Sequence, residues 1–211
     1  MTYSLNEIEA LAKKAARGGG YDWGVAEEAG KAVRWLASHG LPGPAVLAAH
    51  LDPQAHDGPP QTLDGDWSSA TGALCPLSAG VTLNDCADLL TAAHGQTMKN
   101  VTHPLLVVPF AAWAAIHTNA RLTVVWGSAR ATTNGYDLHV EGVEDDLSAP
   151  QTDALECYVA QDSRVLAKPA LRANIRPDVW TNLNTFAQRT YAPATKTSRL
   201  LGAGAGIADN E

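Results

Sequence analysis

Leu5, Ile8, Leu11 and Ala15 recur at helical spacing, so the opening segment carries one apolar stripe. Ser4 and Glu7 form a capping box ahead of it, in which hydroxyl and carboxylate satisfy each other's backbone donors. Gly18-Gly19-Gly20 stops that helix. Val25, Ala29, Val33 and Leu36 mark a second helical face, which ends at His39-Gly40 with a glycine suited to the C′ position. Pro44 opens a short third helix through Val46, Leu47 and Leu51, and Pro53 closes it. The chain therefore starts with a helical hairpin.

Residues 53–72 are polar and rich in Gly, Pro, Asp and Ser, the composition of a long surface loop or flap. A further helix is expected over Leu83–His94, with Thr82 as its N-cap and Gly95 as its end. Strand patterns follow. Leu105-Leu106-Val107-Val108 is a short apolar run, and Leu122, Val124 and Trp126 alternate with their neighbours. Asn134-Gly135 predicts a type I′ hairpin turn, because both residues accept φ > 0. After it Tyr136, Leu138 and Val140 point one way and Asp137, His139 and Glu141 the other; Leu155, Cys157 and Val159 repeat the two-residue period. Phe110–Ala120 reads equally as buried helix or continued strand. A last helix starts near Pro177 and carries Trp180, Leu183 and Ala187 on one side. Together these predict an α+β fold: N-terminal helical hairpin, small mostly antiparallel sheet, C-terminal helix and glycine-rich tail. One domain over 1–211 is expected, with a helical part at about 1–52, the flap at about 53–72 and a mixed part at about 73–211.

Composition narrows the function classes. Charged residues make up 18% and hydrophobic residues 45%, proportions that argue for a packed domain rather than disorder. No apolar run is long enough for a membrane span, and the start MTYSLNEIEA has no secretory pattern. Three cysteines without CxxC spacing read as reduced thiols, so a cytoplasmic location is expected. The net charge of −7 is uneven: residues 1–163 carry −11 and residues 164–199 carry +6. An acidic body repels phosphate backbones, which argues against nucleic acid, whereas the basic enclave suits a small anion or pairing with the chain's own acidic body.

Two stretches look familiar. Ser4-Leu-Asn-Glu-Ile-Glu9 continues through Lys14-Ala-Ala-Arg17, Gly20-Tyr21, Trp23-Gly24, Ala26-Glu-Glu-Ala-Gly30 and Arg34-Trp35-Leu36. The second runs from Thr190-Tyr191 through Pro193-Ala194, Ser198-Arg199-Leu200 and Gly202-Ala-Gly-Ala-Gly206 to Asp209-Asn210. Together they resemble a bacterial family of roughly 200-residue proteins catalogued only as a domain of unknown function. The resemblance implies a stand-alone bacterial protein and supplies no activity, cofactor or catalytic residue.

The candidate chemistry is sparse. Arg189, Tyr191, Lys196, Ser198 and Arg199 with Gly202 and Gly204 could form an anion-binding corner, with a planar guanidinium fork and backbone amides left open by glycine. A frayed tail is the plain alternative. The glycine run is no dinucleotide fingerprint, since the sixth position from Gly202 is Ile207 and no helix can follow. Asp137 and His139 lie two apart on an expected strand and are the candidate pair for proton transfer; the polar face of a hairpin explains them as well. His50, Asp52 and His56 flank a turn and lack metal-site spacing, so no metal is assigned, whether one binds there is left open, and the cofactor is unknown. Cys75, Cys86 and Cys157 read as structural thiols, because no base stands near Cys75 in sequence. Glu27 and Lys31 are a solvated i,i+4 pair, and Gly30 hints at a close segment. The expected function is binding of a small anionic metabolite, with catalysis left open. The alternative is a non-catalytic subunit docking an acidic partner through residues 164–199, and a homo- or hetero-oligomer fits either reading.

Overall fold

The structure, a computed structural model, describes residues 1–51, 58–70, 72–92, 95–161 and 167–191. It is an α+β fold. The elements in chain order are β1 (Thr2–Ser4), α1 (Leu5–Gly18), α2 (Trp23–Ser38), α3 (Gly43–His50), α4 (Pro76–Asp85), α5 (Ala87–Ala92) and β2 (Gln96–Thr102). A 3-10 turn (Pro104–Val107), α6 (Val108–Thr118), β3 (Leu122–Trp126), β4 (Ala129–Thr133), β5 (Leu138–Glu141) and α7 (Glu144–Leu147) come next, followed by β6 (Gln151–Val159), β7 (Arg172–Asn174) and α8 (Pro177–Gln188).

The opening hairpin forms as the pattern requires. Glu7 N–H donates to the Ser4 hydroxyl at 3.3 Å and Ser4 N–H donates to the Glu7 carboxylate at 2.8 Å, completing the capping box. Glycine lets α1 and α2 approach: a Cβ on Gly30 would stand 2.9 Å from the Glu9 carbonyl oxygen. Lys31 pairs with Glu27 at 3.4 Å and with Glu28 at 2.9 Å. The other end of α1 meets α8 more tightly still, where a Cβ on Gly18 would fall 1.9 Å from the Phe186 carbonyl oxygen.

Five strands form an antiparallel sheet in the order β2-β6-β3-β4-β5, and β1 pairs with β7 in a second, two-stranded one. α6 is apolar on nearly every side and is buried between this sheet and α4. Phe110, Trp126, Leu122, Met98 and Leu155 fill that core, which is continuous with the Ile8, Leu36 and Leu47 side chains of the helical part.

Three local expectations are corrected. Leu105–Val108 is not a strand: Pro104 and Pro109 sit in the first turns of the 3-10 turn and of α6, where a missing N–H costs nothing. The helix expected over Leu83–His94 begins at Pro76 and breaks at Cys86 before α5, and the Thr82 hydroxyl bonds back to the Ser78 carbonyl within it instead of capping. Asn134-Gly135 does lie in a hairpin turn, between β4 and β5, but that turn spans residues 134–137 rather than two residues in type I′ form. There the Asn134 side chain accepts from the Tyr136 and Asp137 amides at 3.0 and 2.8 Å, so it forms an Asx turn. The β3–β4 hairpin turns at Gly127-Ser128, where Gly127 has φ 52°. The described part of the 53–72 stretch lies against β2: Trp67 N–H donates to the Thr97 carbonyl at 2.9 Å, and the Trp67 ring is buried.

Candidate functional site

Four residues far apart in sequence meet where the helical part joins the sheet. Tyr21 follows α1. Its carbonyl accepts from Arg17 Nη1 at 2.9 Å and its amide donates to the Ala16 carbonyl at 3.2 Å, which fixes the turn after Gly20. His50 is the last residue of α3 and is 5% exposed. Cys75 precedes α4 and is 2% exposed; its amide donates to the Gly58 carbonyl at 2.8 Å, and its side chain makes no cap to the helix. His103 precedes the 3-10 turn.

Backbone pairing brings the last two together. Leu74 N–H donates to the Asn100 carbonyl at 2.8 Å and Thr102 N–H donates to the Leu74 carbonyl at 3.2 Å, so the segment before Cys75 runs alongside the end of β2. His103 itself has φ 41° and ψ 59°, a left-handed conformation for a β-carbon-bearing residue. That costs roughly 1–2 kcal/mol. It is held by His103 N–H donating to the Pro150 carbonyl and by Leu106 N–H donating to the His103 carbonyl, both at 2.9 Å.

The Tyr21 phenolic oxygen is 2.6 Å from His50 Nε2 and 3.3 Å from Cys75 Sγ. The His50 and His103 rings meet edge to face, with centroids 5.4 Å apart. The phenol has one proton to donate and two polar neighbours. Imidazole nitrogen is a far better acceptor than sulfur, so the phenol donates to Nε2 and the thiol donates to the phenolic oxygen. The result is a chain of S–H to O–H to N. Burial, aided by neighbouring His103, pushes His50 down to about 3. It is therefore neutral at physiological pH and has an acceptor nitrogen aimed at Tyr21. Among the described residues no three His, Cys, Asp or Glu side chains are placed to share a metal ion; Asp52 and His56 lie outside them.

Three cationic side chains lie near the C-terminal end of α1, and one of them, Arg17, reaches the Tyr21 carbonyl. Arg17 stacks over the Trp23 ring at 5.4 Å, and Gly19, two residues on, packs against Leu51 beside His50. Lys14 Nζ donates to the Tyr191 hydroxyl at 3.1 Å, and Arg189 lies 4.4 Å over the Phe186 ring at the end of α8. Arg189 and Tyr191 are thus near the C-terminal end of α1. Lys196, Ser198, Arg199, Gly202 and Gly204 lie outside the described residues. His139 is paired at 3.2 Å with Glu141, and Asp137 lies in the turn ahead of β5, where its carbonyl accepts from the Thr133 hydroxyl at 2.8 Å.

Tyr21 was not singled out by the sequence reading for any chemistry, His50 was weighed only as a metal ligand beside Asp52 and His56, and Cys75 was set aside for want of a base. Residue spacing carries no signal for this cluster. Gly20-Tyr21 and Cys75-Pro76 mark a turn and a helix start, but nothing says that they meet.

Three of the four cluster residues lie within one matched region. Residues 3–98 match the model of a family described as Protein of unknown function (DUF3726). No curated protein and no solved structure matches the chain. The DUF3726 match takes in Tyr21, His50 and Cys75 together with Lys14 and Arg17, and it ends before His103. It also ends before the C-terminal stretch that shares the family resemblance, and it brings no activity with it.

Proposed function

We propose that this is a cytoplasmic enzyme of small-molecule metabolism, which holds an anionic metabolite beside Tyr21 and moves a proton between that ligand and His50. The observation that carries the reading is the Tyr21 hydroxyl shared between a buried neutral imidazole and a thiol. A phenol hydrogen-bonded to an imidazole can pass its proton to that nitrogen as it takes one from a ligand, the relay that general acid–base catalysis uses. Proton transfer is therefore assigned to Tyr21 and His50 ahead of Asp137 and His139, since His139 is engaged with Glu141. Lys14, Arg17 and Arg189 supply positive charge for the ligand, and Lys196 and Arg199 stay with this reading as further ligand cations. Three free thiols fit a reducing compartment.

A thermal-shift assay with millimolar inorganic phosphate, acetate, malate and citrate tests the binding. Saturation at about a hundredfold over Kd adds roughly 2.7 kcal/mol, or about 5–10 °C in Tm for a chain of this size. At least one of these anions is expected to give such a shift, and Arg17→Ala or Arg189→Ala is expected to remove most of it. No shift with any of them, or shifts unchanged in both variants, overturns the reading.

A further inference from the structure

We propose that Cys75 is a nucleophile that takes a small acyl group from an ester or thioester, with its proton carried through Tyr21 to His50. The inference rests on the proton-transfer role given above to that pair and adds the covalent step.

The thiol already donates toward the phenolic oxygen at 3.3 Å, and the phenol toward Nε2 at 2.6 Å. Attack on the acyl carbon forms the Sγ–C bond while the thiol proton moves to Tyr21 and the Tyr21 proton moves to His50. Collapse breaks the bond from the acyl carbon to the departing oxygen or sulfur, and the proton on His50 leaves with that group. Attack by water or a second nucleophile then releases the acyl group and restores the thiol. No oxidant or reductant enters. His50 is buried and reluctant to carry charge, so the transfer runs in concert with bond formation and no free thiolate accumulates. Cys75 is 2% exposed, which limits the acyl group to something as small as acetyl. Tyr21 is only half-buried, and its carbonyl accepts from Arg17, which puts a cation beside it and suits a substrate that carries an anionic group.

The other thiols are internal controls. Cys157 is fully buried, and burial pushes it up to about 12. Cys86 is more exposed than Cys75, so indiscriminate chemistry would favour it.

p-Nitrophenyl acetate added to the full-length wild-type protein at pH 7.5 gives the test. Expected are a burst of about one equivalent of nitrophenol per chain and a single acetyl mass increment on the peptide containing Cys75. Tyr21→Phe is expected to slow the burst at least tenfold, with Cys86 alkylation by iodoacetamide unchanged. Acetylation confined to Cys86 or lysines, absence of any burst, or a burst unaffected in Tyr21→Phe overturns the proposal. Because the wild-type protein is read directly, a misfolded variant cannot mask the answer. An anion-dependent thermal shift without acetylation would sink this inference and leave the binding reading intact.

Discussion

His50 makes the stability of the protein depend on pH in a way that can be worked in advance. Its ordinary value is 6.5, and burial beside His103 takes it to about 3 in the folded state. Tyr21 meets it at Nε2 with Cys75 beyond the phenol, and the edge of the His103 ring packs against it. Between those two values the unfolded chain binds a proton that the folded chain refuses. Stability is therefore fully present above about pH 6.5 and is lost as the pH falls toward 3. From these two values the loss is about 2 kcal/mol at pH 5 and about 3 kcal/mol at pH 4. His50→Gln keeps an acceptor for Tyr21 and cannot titrate. Urea unfolding followed by tryptophan fluorescence at pH 7.5, 6 and 5 compares the two, with Trp67 and Trp126 as buried reporters. With a slope of about 2–3 kcal/mol per molar urea, the wild-type midpoint should fall by about 0.7–1 M more than the variant midpoint between pH 7.5 and 5. The same fall in both proteins would refute the argument, because it would mean that His50 is not held neutral by its surroundings.

Gly18→Ala places a methyl group against the Phe186 carbonyl, a backbone atom that can yield only if α8 shifts, so a loss of about 1–3 kcal/mol and a lower Tm are expected; an unchanged melting curve would show that the two helices are not seated together. Ser4→Ala removes the hydroxyl half of the capping box and should cost about 1 kcal/mol, or roughly 2–4 °C in Tm by calorimetry.

The helical hairpin was legible because its stripe, its cap and its glycine stops all lie within one or two turns of each other. The C-terminal helix was legible for the same reason. Mixed α+β character followed from the change of period after about residue 120. β4 was not read, because Ala129, Ala131, Thr132 and Thr133 are all buried and small or polar, so no apolar alternation marks the strand. β2 was hidden by Gln96, Thr97, Lys99 and Asn100 on a strand of which only Met98, Val101 and Thr102 are buried. The cluster at Tyr21, His50, Cys75 and His103 depends on tertiary geometry. Its members come from a turn, a helix end, a helix start and a left-handed residue, and only the pairing of Leu74 with the end of β2 puts two of them side by side. The acidic-to-basic charge asymmetry was plain in the sequence, and one of its members, Arg189, comes near Gly18, while Tyr191 comes near Lys14.

The sheet order has a consequence for synthesis. β6 lies between β2 and β3, although β3, β4 and β5 are all translated before it. A growing chain can zip β3, β4 and β5 into a meander as soon as they leave the ribosome, and the 67–74 segment can shield one flank of β2. The opposite flank of β2 and the outer flank of β3 both wait for Val159 to emerge. At roughly 5–20 residues per second that delay lasts several seconds, during which two unpaired strand edges stay open to other chains and to chaperones.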